Sequence, residues 1–281
     1  MNMVKNLTEG RPLNLLFFFA LPMVAGNLFQ QLYNMVDTAV VGKFVGEDAV
    51  AAVGSSFPIV FLSVAVASGL SMGCTVVVSQ LFGAGRIHEM KTTISTAIIS
   101  LGVLGLLIMG LGTLLAGPLL QLLGTDPDIM ADSRTYLQIY FGGAVFLFLY
   151  NTLNGIYNAQ GDSKTPLIFL MISSLTNIVL DLLFVIRFGW GIPGAAAATL
   201  LAQLFAFAYC VNALRKIPDV SVEKPDWQPN GSVIRRLCHL GLPLALQHFV
   251  IVISGIIMQA VINTCGFVFL AGFTATNKLH G

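Results

Sequence analysis

Seven apolar stretches, each long enough to cross a lipid bilayer, divide this chain and leave little of it for anything else. They lie near residues 13–41, 51–80, 93–123, 136–159, 167–187, 194–214 and 238–264, and an eighth begins near 269. Roughly 20 mostly apolar residues suffice for a spanning helix, so several of these runs are long enough to tilt or kink. Inside lipid no water is available to the backbone, and a helix satisfies its own amide groups. Composition supports the same reading: 10% of residues are charged and the mean hydropathy is +0.84, against about 25% charged in soluble proteins. A soluble enzyme, a disordered chain and a nucleic-acid binder are excluded, and a net charge of +1 implies no polyanionic partner. The expected fold is therefore an all-α, polytopic membrane helix bundle with antiparallel neighbours joined by short loops. The first run is too long for a signal-peptide core and is expected to remain as a span.

The basic residues sort by side. With the N-terminus in the cytoplasm, Lys5, Arg11, Arg86, Lys91, Lys164, Arg215, Lys216, Lys224, Arg235 and Arg236 fall on the cytoplasmic side, and Lys43, Arg134 and Arg187 fall outside. This is the positive-inside pattern, and it predicts a multi-pass protein of the cell inner (plasma) membrane. Cys74, Cys210, Cys238 and Cys265 show no metal or redox spacing and read as packing residues.

The longest polar segment, 215–236, carries Pro218, Pro225, Pro229 and Gly231 with five basic residues and reads as a cytoplasmic linker. On either side of it a pattern recurs. Leu21-Pro22 and Leu242-Pro243 each follow a basic stretch, open a long apolar run, and precede a Gly-containing turn. Repeats of this kind are a hallmark of secondary transporters. The expected organisation is a six-helix N-lobe (1–214), the linker (215–236), and a truncated second repeat (237–281) holding helix seven and part of helix eight. If the natural protein is longer, the remaining C-lobe helices are its missing partner.

Two acidic residues lie within the spans: Asp37 in the first and Asp181 in the fifth. An Asp at the centre of a membrane helix costs roughly 2.5–3.5 kcal/mol, so such residues face the bundle interior and mark ion or substrate paths. Asn177 and Asp181 stand four apart on one helical face, as do Tyr33 and Asp37, with Asn34 three before Asp37. Thr199 lies in a run of small residues that lets helices approach closely. Two carboxyls with amide and hydroxyl oxygens make a proton or hard-cation site; a purely structural polar cluster is the alternative. Pro22 interrupts the first helix's hydrogen-bond ladder and is a candidate hinge, with a static kink as the other reading. Gln247 and His248 occupy the seventh span, which has no acidic residue.

These residues resemble those of the multidrug and toxic compound extrusion (MATE) transporters. The likeness rests on Pro22, on the run from Asn34 through Asp37 and Gly42 to Gly46, on the run from Asn154 through Gly161 and Asp162 to Pro166, and on Asn177, Asp181, Gly194 and Thr199. It implies a twelve-helix fold of two six-helix lobes that exports organic cations or drugs against an inward Na⁺ or H⁺ flux, with no cofactor. By the same likeness Asp37, Asn177, Asp181 and Thr199 occupy the N-lobe cation site. Some family members carry an acidic residue in the seventh span; Gln247 and His248 stand there instead, which favours coupling in the N-lobe. Three other readings compete. A lipid-linked oligosaccharide flippase of the wider superfamily calls for a basic central cavity, and no Lys or Arg lies mid-span in the N-lobe helices. An intramembrane enzyme needs a catalytic set that His88, His239, His248 and His280 do not form, so no enzyme is expected. A truncated, non-transporting membrane scaffold is the third.

Overall fold

The computed structural model describes residues 12–214, 227 and 229–264. Eight α-helices follow one another: α1 (Pro12–Phe44), α2 (Glu47–Gly83), α3 (Ile87–Leu122), α4 (Pro127–Gly142), α5 (Ala144–Ala159), α6 (Lys164–Asp181), α7 (Gly191–Leu214) and α8 (Gly231–Thr264). No strand occurs among the described residues. Six helical stretches are long and apolar enough to cross a membrane on their own. The pair α4 and α5, bent by 49° at its junction, gives a seventh when the two are taken as one span, and the fourth predicted span is two helices rather than one.

Local chemistry sets the ends. Asp126 caps α4 by accepting a bond from the Asp128 backbone N–H (2.9 Å), with Pro127 in the first turn. Asn230 caps α8 through its side-chain oxygen, which accepts from the Ser232 N–H (3.0 Å). The helix therefore opens at Gly231, and Arg235 and Arg236, read as linker from sequence, lie in its first turns. After Asp181 the ladder widens into a π-helical segment, Leu182–Arg187, marked by Phe188 N–H donating to Leu183 C=O at 3.0 Å. Gly189 and Gly191, at φ +67° and +58°, then turn the chain into α7.

The bundle is apolar on both sides. Its largest buried cluster joins Val77 and Val78 of α2, Ile94 of α3, Tyr157 of α5, Phe169 of α6 and Leu237 of α8. Outward, Leu107, Leu114 and Leu122 of α3 stay exposed, the arrangement a lipid-facing surface requires. Hydroxyls in the helices bond back to their own carbonyls, as Ser56 does to Ala52 and Thr152 to Phe148. Cys74 and Cys210 are buried in the same core, and Cys265 lies outside the described residues.

α8 docks against α2 along a contact of backbones. A Cβ added at Gly73 would stand 2.7 Å from Gly241 N, and one at Gly69 would overlap the Ala245 backbone. Glycine is required at both places because any side chain would force the helices apart. Arg236 Nη2 donates to Gln80 Oε1 (2.8 Å) and the Asn230 N–H donates to Thr96 Oγ1 (3.2 Å) at the same end. α1 and α8 match in length, 33 and 34 residues, and each contains its proline, Pro22 or Pro243. Most of the linker (215–226) and everything from 265 onward, including the start of helix eight, lie outside the described residues.

Candidate functional site

Three helices bring the four sequence-predicted polar residues to one place. α1 supplies Asp37, α6 supplies Asn177 and Asp181 a turn apart, and α7 supplies Thr199. Asn177 and Asp181 are each 1% exposed. The Asp37 and Asp181 side chains are hydrogen-bonding neighbours, although the two residues are far apart in the chain. Asn177, with its amide oriented to suit both neighbours, donates from nitrogen to Asp181 Oδ2 at 2.7 Å and accepts at oxygen from the Thr199 backbone N–H at 3.1 Å. The Thr199 hydroxyl donates to the Ala195 carbonyl (3.2 Å) and is joined to the Tyr33 hydroxyl. One oxygen of each carboxyl, Asp37 Oδ1 and Asp181 Oδ1, is buried without a protein partner.

That arrangement has a definite electrostatic consequence. Two full negative charges about 4 Å apart repel by roughly 4 kcal/mol at an effective dielectric constant of 20. A like-charged pair shielded from water, with Asp181 buried and Asp37 half-buried, is relieved by a proton or a small cation sitting with it. The orphaned Oδ1 atoms are the acceptors available to receive it. Among the described residues no group of three or more His, Cys, Asp or Glu could hold a metal ion. Two carboxyls with neutral amide and hydroxyl oxygens suit a proton or a hard cation rather than a transition metal.

A cavity of about 690 Å³ opens beside the pair. Tyr33, Asn177 and Thr199 belong to both, forming the wall between carboxyls and cavity. Pro22 lines the same cavity, away from the carboxyls, inside the continuous helix α1. Asn34 also faces the cavity and accepts from Gln30 Nε2 at 3.2 Å. Gln247 and His248 are exposed on α8 and stand outside that wall.

Two features escaped the sequence reading. Tyr136 of α4 lies within electrostatic reach of both Asp37 and Asp181. A tyrosine near a span end reads as an interfacial anchor, so nothing in the sequence singled it out. The second is the row Asn151, Asn154 and Asn158 on α5, which lines the cavity. Its spacing of three and four is a polar stripe on an apolar span, a legible signal.

A family profile described as MatE matches residues 22–183. The chain is 32% identical over 277 residues to the "Probable multidrug resistance protein YpnP" of Bacillus subtilis (strain 168), covering 98% of this chain and 61% of that protein. Among solved structures, one titled as the outward-facing conformation of a multidrug resistance MATE family transporter of the MOP superfamily superposes with a TM-score of 0.91. The identity is 26%, and the match covers 99% of this chain and 62% of that one. One titled as the inward-facing conformation of a multidrug resistance MATE family transporter superposes at 0.76, also with 26% identity, over 84% of this chain and 54% of that one. The chain thus spans about three-fifths of the length of these relatives.

Proposed function

We infer function from family and geometry together: this chain belongs to the MATE family of multidrug and toxic compound extrusion transporters, and it is a multi-pass membrane protein. On that premise it acts in multidrug efflux, exporting drug-like small molecules or organic cations in antiport with H⁺ or Na⁺. Residues 1–214 form the N-lobe, and a linker from 215 to 230 joins it to the C-lobe, which begins with α8 at Gly231. The protein sits in the inner (plasma) membrane with its N-terminus in the cytoplasm, as its basic residues favour.

One observation carries this reading: a pair of carboxyls, buried Asp181 and half-buried Asp37, shares a wall with a cavity large enough for a drug. Uptake of H⁺ or Na⁺ by the pair changes the charge behind Tyr33, Asn177 and Thr199, and these are the residues a molecule in the cavity touches. Pro22 lets α1 bend along the opposite stretch of that cavity, so the charge change at Asp37 alters its shape and releases the drug. Rocking of the lobes then exposes the site alternately to the two sides. The supporting comparison is with relatives whose names describe multidrug resistance proteins.

In cells expressing the protein at full natural length, Asp37→Asn is expected to abolish drug resistance at unchanged expression. Resistance equal to wild type sinks the carboxyl-coupled mechanism.

A further inference from the structure

The outward face of α6 ends beside two donor groups that bond to nothing else in the described protein. Ser174, Asn177 and Asp181 are on the buried side of the helix. On the other side Ile168, Ile172, Leu175, Val179, Leu182 and Ile186 are exposed and recur at helical spacing through α6 and the π-helical segment after it. By the rise per residue of a helix this stripe is about 25 Å long, close to the roughly 30 Å of a bilayer's hydrocarbon core. Its far end therefore lies at the level of the lipid headgroups.

Arg187, Phe188 and Trp190 stand at that end, all exposed. The rings of Phe184, Phe188 and Trp190 pack on one another with centroids 5.0, 5.5 and 6.1 Å apart. The Trp190 backbone N–H donates to the Phe184 carbonyl at 2.9 Å. Ring and backbone contacts thus fix the turn that follows the helix. Among the described residues the Arg187 guanidinium makes no ion pair or hydrogen bond, and neither does the Trp190 indole N–H.

Charge sets this place apart from the rest of the same end of the bundle. Lys43 has Glu47 four residues further on, and Arg134 shares α4 with Asp128 and Asp132. The acidic residue nearest Arg187 in sequence is Asp181, which is buried. A guanidinium binds a phosphate through paired N–H donors, and an indole N–H settles among headgroup oxygens. A zwitterionic headgroup would bring its ammonium beside Arg187 with no carboxylate to hold it. An anionic headgroup brings only complementary charge.

We propose that Arg187 and Trp190 form a headgroup site for an anionic phospholipid, its phosphate bound by the guanidinium and the indole N–H and its acyl chains laid along the α6 stripe. The site requires only that the chain spans a membrane, and it holds whether or not the protein exports drugs.

The test uses the full-length protein with every tryptophan except Trp190 replaced by phenylalanine. It is reconstituted into bilayers that mix phosphatidylglycerol with phosphatidylcholine. One lipid at a time carries bromines high in an acyl chain, and quenching of Trp190 fluorescence reports which lipid lies beside it. The expected preference for phosphatidylglycerol is about fivefold, the scale of one arginine at a membrane surface. Arg187→Gln should bring the ratio close to one, and Arg134→Gln, at the same end of the bundle, should leave it unchanged. A ratio of one before any further substitution overturns the proposal by itself. So does a ratio below one, which would set the choline ammonium on the rings. A preference that survives Arg187→Gln overturns it by showing diffuse surface charge in place of a site. Loss of the preference in millimolar inorganic phosphate at matched ionic strength overturns it in favour of free phosphate. Failure of both brominated lipids to quench Trp190 overturns it by placing protein against the stripe.

Discussion

Asn177 joins two helices with one amide, giving its nitrogen to Asp181 and its oxygen to the α7 backbone at Thr199. Hydrogen bonds between membrane helices contribute on the order of 0.5–1.5 kcal/mol. Asn177→Ala is therefore expected to lower stability by only about that much, measured by unfolding in mixed detergent. It should remove most of the drug efflux, because Asp181 loses the donor that orients it. A large stability loss with intact efflux would show the residue to be structural. Tyr136 stands beside both carboxyls without belonging to the four predicted ligands. Tyr136→Phe keeps the ring and removes the hydroxyl. Its effect should appear in the ion concentration needed for half-maximal efflux, with drug affinity nearly unchanged.

Among the elements, α2 and α8 form the tightest junction. Gly69 and Gly73 let their backbones meet Ala245 and Gly241, and Arg236 bonds Gln80 beside that contact. A leucine at Gly73 has no space to occupy unless α8 moves off. In a Gln80→Cys, Arg236→Cys background, oxidation is expected to cross-link the helices efficiently. Adding Gly73→Leu should reduce that yield several-fold, a drop readable by gel mobility. A second pair inside the N-lobe, Ser55→Cys with Ser133→Cys, replaces hydroxyls 2.9 Å apart and should cross-link in either case. Its persistence separates undocking of α8 from general unfolding. The bend between α4 and α5 and the π-helical segment after Asp181 are likewise properties of elements. π segments inside helices recur at functional sites, and this one begins at the residue after a buried carboxyl.

For the molecule as a whole, α2 and α8 approach backbone to backbone at Gly69 and Gly73. Beyond the Gly69–Ala245 crossing, Phe57 and Phe61 of α2 and Leu246 and Val250 of α8 are exposed, toward the end where Asp37 lies. The chain superposes better on the outward-facing relative, at a TM-score of 0.91, than on the inward-facing one, at 0.76. In liposomes carrying the full-length protein, an imposed H⁺ or Na⁺ gradient should drive drug movement for wild type. Neither gradient should drive it for Asp181→Asn. Drug movement by that variant at the wild-type rate would place coupling somewhere other than the Asp37–Asp181 pair.

The seven spans and the candidate ion ligands were legible along the chain, because hydrophobicity per residue and the cost of a carboxyl in lipid are local properties. Asp37 and Asp181 were conspicuous for that reason, and Asn177 followed from helical spacing alone. Tertiary structure alone decided that the two carboxyls touch, that Tyr136 joins them from a fourth element, and that the amides of α5 face a common cavity. It also broke the fourth span at Gly142–Gly143, where one continuous apolar run had predicted one helix. Periodicity assigns a residue to a face of its own helix, whereas which face meets which neighbour depends on how closely the backbones approach and on how each helix bends.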